Sequence, residues 1–350
     1  MATRNKDELL GYAPDPPTPL GRYRALSPLA GVRVSPMQLG GMSIGDEWAK
    51  YGMGAMDKES SLKLPDASYE AGDNFIDTSC NYQKETSEKL IGEWAEQRGI
   101  RNELVIATKY TTHYKRVDDR IKIKANYVGN NAKSLFLSVE DSLRKLRTTY
   151  IDIFRTQGPL SRNIRHSCMG RRFQYAKLAH QTPFVVYQGA WNVMDRSFER
   201  EIIPMARSLG LVLAPWNVLA AGRLRTDAEE EKRLATGEEG RTLFLSDWKR
   251  NEDEKKTGAA LGKVAKEVGT EHITAVAIAY VMQKTPYVFP IIGGRKKSKS
   301  KYLESILPFD LGFPHTAFGN GTQSVPYLIE NAAREDKVPL RQSIKPKISN

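Results

Sequence analysis

The stretch FIDTSCNYQKETSEKLIGEW, residues 75–94, followed by LVIATKY at residues 104–110, decides the fold. A short apolar run, Asn74 to Asp77, ends in a charge and reads as a strand. Thr86 then opens a helix whose polar and apolar faces are carried by Glu88, Leu90, Ile91 and Trp94. Leu104 to Thr108 is the next strand. Strand, helix, strand at this spacing is the unit of a parallel α/β fold.

The same rhythm extends in both directions. Val34 to Leu39, closed by Gly40-Gly41, reads as a first strand, and a helix is expected over 58–72. Pro65 lies inside that helix, which predicts a kink or a later start, because interior proline costs a helix about 3 kcal/mol. Residues 131–146 form an amphipathic pattern, and Tyr150 to Phe154 is a fourth strand. Between it and the next strand, Phe184 to Tyr187, residues 155–183 hold only one comfortable helix, around Arg171 to Ala179. A helix, a strand and a second helix with their loops need roughly 40 residues. RTQGPLSRNIRHSCMGRR is polar, basic and aperiodic, so it reads as loop. Regular alternation then resumes: a helix over 197–208, a strand Leu211 to Ala214, a long charged loop 223–255, helices over 257–268 and 273–284, and a last strand Val288 to Ile292. The length suits one large α/β barrel or two ordinary domains, and the pattern favours a (β/α)8 TIM-type barrel over 21–315, lacking one strand and one helix between residues 155 and 171. Loose tails are expected at 1–20 and 316–350.

Composition narrows the functional classes. Hydrophobic residues make up 40% of 350, enough for a packed core. Two cysteines, Cys80 and Cys168, leave no room for a disulfide framework or thiolate zinc site, and no metal is expected. Without a signal-peptide core or an apolar run of membrane length, a cytoplasmic protein with no membrane partner is expected. The net charge of +12 comes without a zinc finger, RNA-binding aromatic signature or helix-turn-helix, so no nucleic-acid partner is expected. A phosphorylated cofactor accounts for part of the charge, and solvated surface for much of the rest.

Asp77 and Lys109 each follow directly on a strand, where parallel barrels build their active sites. Tyr82 lies five residues after Asp77 and can reach the same mouth. A phenol is a poor acid at neutral pH, with a reference pKa near ~10, and a neighbouring ammonium lowers it by favouring the phenolate. Asp77 would hold Lys109 charged and aimed. The spacing alone describes a structural ion pair beside an unrelated tyrosine equally well.

FIDTSCNYQKETSEKLIGEW with LVIATKY resembles the aldo-keto reductase signature, in particular the fungal aryl-alcohol dehydrogenase and norsolorinic acid reductase branch. LGGMSIGDEW, YIDIF, FVVYQGAWN, LAPWNVLAAGRL and FPIIGGRK fit that branch in order. The resemblance implies NADPH-dependent reduction of an aromatic aldehyde or ketone, or oxidation of the alcohol, in the manner of secondary metabolism. It assigns Tyr82 as general acid with Lys109 and Asp77 as catalytic partners, Asp77 also touching the cofactor. Gln157 stands in the place of the fourth catalytic residue, a histidine; it can donate a hydrogen bond but carries no charge. His166, in the irregular loop, reads as a surface residue.

The resemblance also assigns an NADP(H) site. Gln188 matches the partner of the nicotinamide amide, and Trp216 the ring that stacks on the nicotinamide, although core packing explains a tryptophan there too. Asn217, Val218, Leu219, Ala220, Ala221, Gly222 and Arg223 match the loop that wraps the pyrophosphate. Gly293 and Gly294 let backbone N–H groups approach phosphate, and Arg295 with Lys296 suit a 2′-phosphate. The basic run Arg295 to Lys301 also has the look of a nuclear-localisation or nucleic-acid patch, though a remnant of the phosphate site is the simpler account. The Ser-Asp or Ser-Asn pair that also grips the amide in this family belongs to the missing strand, and YLESILPFDLGFP follows the basic run earlier than the family pattern has it. The alternative is an impaired or inactive truncated paralogue, or a mis-spliced gene product, with residual cofactor binding.

Overall fold

The computed structural model describes residues 13–156, 173–176, 178–181, 183–237, 240–242 and 247–294. The expectations placed on Gln157, His166, Arg295, Lys296, the stretch after Lys296 and most of both tails lie outside these residues.

An antiparallel hairpin comes first, β1 (Arg24–Ser27) with β2 (Ala30–Val34). β3 (Gln38–Gly40), β4 (Phe75–Asp77), β5 (Val105–Tyr110), β6 (Ile153–Thr156), β7 (Val186–Ala190), β8 (Val212–Trp216) and β9 (Ile291–Ile292) follow. The single strand expected over Val34 to Leu39 is therefore two: Val34 ends the hairpin and β3 begins at Gln38. Pro36 stands at the break, where it offers no ladder donor.

β6, β5, β4, β3 and β9 form one parallel sheet in that order, and β7 pairs in parallel with β8. A parallel bridge between Leu213 and Val288 joins the two groups just ahead of β9. The strands thus wrap in the order of a barrel, with β6 and β7 facing each other unpaired among the described residues. The predicted interruption falls at this place.

Side-chain alternation sorts inside from outside. Phe75, Val105, Ile153 and Val212, each the first residue of its strand, pack with Phe289 and with Leu26 and Val34 of the hairpin. The hairpin therefore plugs the end where the strands begin. Ile76 and Ile106, one position on, face outward onto Leu64, Leu90, Ile91 and Trp94. A two-residue period then returns Asp77 and Lys109 to the interior at the opposite, open end.

Helices cover the outside: α1 (Lys58–Glu70), α2 (Thr86–Arg98), α3 (Ala132–Lys145), α4 (Ile202–Leu209), α5 (Asp227–Thr236), α6 (Glu252–Glu267) and α7 (Ile273–Gln283). α1 runs through Pro65 from an early start, because Asp57 caps it by accepting from Ser60 N at 2.7 Å. The helix expected at 197–208 begins as a short 3-10 turn, Ser197–Glu199, before α4. The charged stretch 223–255 is not all loop. It holds α5, which buries no residue and stands on a capping box between Thr226 and Glu229. Glu230 is clamped by Arg225 and Arg250. α3 buries Ser134, Ser138 and Ser142 and leaves Phe136 65% exposed, so its apolar face looks outward. No described helix is long and apolar enough to cross a membrane.

Candidate active site

Asp77 ends β4, Lys109 leaves β5 one turn of the pleat higher, and Tyr82 stands in the turn after β4. The structure brings the three together. Lys109 Nζ donates to Asp77 Oδ2 at 2.6 Å, to the Thr78 carbonyl at 2.6 Å and to Tyr82 Oη at 3.3 Å. These contacts use all its protons, as an ammonium only 2% exposed requires. Its charge also lies 4.8 Å from the centre of the Tyr82 ring, and that ring meets Trp48 edge-on at 6.1 Å.

The expectation that Lys109 makes this phenol more acidic meets a larger opposing effect. Burial pushes Tyr82 above its ordinary value; Lys109 pulls it down, Asp77 raises it, and Arg155 lowers it. In the protein alone the net direction is upward, because the phenolate is deprived of water.

The backbone that presents Tyr82 is unusual. Gln83, Lys84 and Glu85 all have positive φ, 50°, 49° and 78°. Non-glycine residues rarely hold such angles unless their surroundings enforce them. Here side chains do so. Gln83 Nε2 donates to the Met42 carbonyl at 2.9 Å, and Lys84 pairs with Glu47 at 2.8 Å. Glu85 accepts from Lys115 at 2.9 Å and Lys145 at 3.1 Å. Lys145 also meets Glu88 at 2.8 Å and the Cys80 carbonyl at 3.1 Å, and Glu88 accepts from Thr108 at 2.6 Å. This buried network, drawn from α2, β5 and α3, was invisible in the local sequence pattern.

Arg155 was also missed. It is 8% exposed, on the inward side of β6, and donates to Asp77 Oδ1 at 2.8 Å. Its guanidinium reaches Gln38 Oε1 at 3.2 Å and Gln188 Oε1 at 3.3 Å, while its Nε meets no partner among the described residues.

The residues assigned to a cofactor lie along the same open end, with different freedom. Trp216 ends β8 and is 37% exposed, against the core-packing reading. Gln188 lies half-buried on β7 with its amide oxygen taken by Arg155. In the following loop Asn217, Ala220, Ala221 and Gly222 have positive φ, which turns the backbone sharply. The side chains of Val218 and Ala220 are buried, and Leu219 packs against the core, so only their backbone can face a ligand. Arg223 is engaged by Glu254 at 2.6 Å and the Asp247 carbonyl at 2.6 Å. Gly293 is exposed, and among the described residues a Cβ there would meet only the Gly40 carbonyl at 3.5 Å and the Ser43 hydroxyl at 4.0 Å. An exposed indole, a half-buried amide and a side-chain-free rim fit the flat, polar outline of a nicotinamide and its ribose. No cluster of metal-ligating side chains occurs among the described residues.

Comparison with known proteins adds ancestry to this geometry. The model of the Aldo/keto reductase family matches residues 36–158 and 170–308, and so breaks where β6 and β7 fail to pair. The chain is 48% identical to "Aryl-alcohol dehydrogenase [NADP(+)]" of Phanerodontia chrysosporium, over 95% of this chain and 98% of that protein. It is 39% identical to "Norsolorinic acid reductase A" of Aspergillus parasiticus, over 97% of each. The first alignment runs over 379 positions, more than the 350 residues of this chain, so that relative carries residues this one lacks. Among solved structures, the glycerol dehydrogenase AKR11B4 of Gluconobacter oxydans superposes with a TM-score of 0.57 at 19% identity. That match covers 83% of this chain and 92% of the other, and supports the barrel fold alone.

Proposed function

Because the chain belongs to the aldo/keto reductase family, a family of (β/α)8 barrels, we propose that it is an NADPH-dependent reductase of aromatic aldehydes or ketones. The observation that carries this reading is the buried contact of Lys109 with both Asp77 and Tyr82 at the open end of parallel strands. NADP(H) is proposed from the name of the Phanerodontia relative and from the fit of the rim. Gln188 and Trp216 would hold the nicotinamide, the backbone of 217–222 the pyrophosphate, and Gly293-Gly294 with Arg295 and Lys296 the adenosine phosphate. The bound cofactor supplies the hydride.

The chain's own residues then manage a proton. Tyr82 Oη donates to the carbonyl oxygen as negative charge builds there, which keeps a free alkoxide from forming. Lys109 steadies the phenolate left behind, at the cost of no reorganisation because it already faces the oxygen. Asp77 aims Lys109 at the phenol and pairs its buried charge, at 2.6 Å.

The purified chain is expected to bind NADPH saturably and to reduce benzaldehyde, with Tyr82→Phe abolishing turnover. A second reading has its own support: the interrupted family match and the unpaired β6 edge suit a relic that no longer catalyses. Failure to bind NADPH at any concentration would decide for the relic.

A further inference from the structure

Arg155 is not used by the reaction just described, yet it sits at its centre. β5 and β6 pair in the register Lys109↔Arg155, so the two cations enter the barrel side by side from neighbouring strands. Asp77 lies between them and is shared, Oδ2 going to Lys109 at 2.6 Å and Oδ1 to Arg155 at 2.8 Å. The guanidinium continues to Gln38 on β3 and to Gln188 on β7. One side chain from β6 therefore touches β4, β3 and β7. In reaching Gln188 it spans the side of the barrel where β6 and β7 exchange no backbone hydrogen bonds among the described residues.

A planar guanidinium suits this task, since its donors form a rigid fork that can serve several acceptors at once. The arrangement is costly as pure structure. Two buried cations on one carboxylate leave a positive excess, and apolar residues of similar volume commonly serve stability better. The excess has a direction. The charged groups facing Tyr82 are Lys109 from β5, Asp77 from β4 and Arg155 from β6, while Trp48, from the loop after β3, is neutral. Burial and Asp77 raise the phenol, Lys109 lowers it, and Arg155 adds a second, smaller pull in the direction of Lys109, toward the phenolate that proton donation leaves behind.

We propose that Arg155 is a positioning residue that binds Asp77 and Gln188 together, joining the proton-delivering group to the nicotinamide-binding side chain across the unpaired edge. The inference rests on the reading of Tyr82 as the acid and Gln188 as the amide partner. Two measurements on the full chain test it. Tyr82 ionisation is followed without turnover, as the tyrosinate absorbance of each protein minus that of its Tyr82→Phe counterpart. NADPH affinity is followed by cofactor fluorescence. Arg155→Gln is expected to move the Tyr82 titration to higher pH, as one nearby positive charge is removed, and to weaken NADPH several-fold. Arg155→Lys keeps the charge but cannot span to Gln188, so the titration stays while NADPH still weakens. A titration that Arg155→Gln leaves in place overturns the proposal, and so does unchanged NADPH affinity in both variants. Should the glutamine variant not fold, the lysine variant decides by its NADPH affinity. If the parent binds no NADPH the cofactor reading falls, and the titration alone decides on Arg155.

Discussion

Gln83 holds Trp48 by its backbone: the side-chain oxygen of Gln83 accepts from the Trp48 N–H at 2.7 Å. The bond ties the loop after β3 to the strained turn after β4, and so sets the indole against the Tyr82 ring. Gln83→Ala leaves that N–H and the Met42 carbonyl without their partner, which is expected to cost about 2 kcal/mol and to reduce turnover with it. Thermal melting and steady-state rates check this. The neighbouring Lys84→Ala removes a surface pair with Glu47 that holds the same turn, and is expected to cost less.

Tyr82→Phe separates chemistry from folding. The hydroxyl makes one hydrogen bond to a described residue, with Lys109 at 3.3 Å, while the ring keeps its contacts with Trp48 and the ammonium. Stability is expected to fall by no more than about 1 kcal/mol, and reduction by about 100-fold or more. Denaturant melts beside NADPH-consumption rates give both numbers. A variant that reduces aldehyde at the parent rate removes Tyr82 from the reaction.

Gly92 lies inside α2, where alanine ordinarily stabilises a helix by about 1 kcal/mol. A Cβ here would stand 2.6 Å from Leu146 Cα, against the backbone at the end of α3. Gly92→Ala is therefore expected to destabilise, by about 2 kcal/mol, because the two helices must separate. Lys145 sits at that contact and holds Glu85 and Glu88, so the rate is expected to fall as well. Urea denaturation tests the sign.

Burial pushes the Asp73 carboxyl up to about 6, above its ordinary 3.8. Between these values the native protein binds a proton that the unfolded chain has released, so stability falls as pH rises. This contribution is complete below about pH 4, declines until about pH 6 and is flat above, a total of about 3 kcal/mol. Asp73→Asn keeps an acceptor for the Phe75 N–H at 3.0 Å and a partner for the Ser68 hydroxyl at 2.6 Å. Its stability relative to the parent is expected to rise between pH 4 and pH 7. A difference that stays constant with pH rules this assignment out.

What could be read from sequence follows from where the information lies. Asp77 sits two positions past Phe75 and Lys109 four past Val105, the apolar residues that begin their strands' inward faces, so alternation alone sends them to the open end. The interruption after β6 was legible as a shortage of chain. Arg155 was overlooked although the same alternation marks it: Ile153 points inward, and so must the residue two further on. A charge on the inward face of a buried strand was the available signal. α5 was overlooked because it has no apolar stripe, but Thr226 and Glu229 spell its capping box. Glu85 and Glu88 share the start of α2, but Lys115 and Lys145 come from elsewhere in the chain, and no local spacing predicts that they meet.

A tube slit along its length loses most of its resistance to torsion, because shear can no longer circulate around the wall. Between β6 and β7 the described backbone provides no such circuit, and the Arg155–Gln188 contact at 3.3 Å is what crosses there. Closed barrels obtain the rigidity of their mouth from a hydrogen-bonded wall; among the described residues, the proposed role of Arg155 puts that task on a side chain instead.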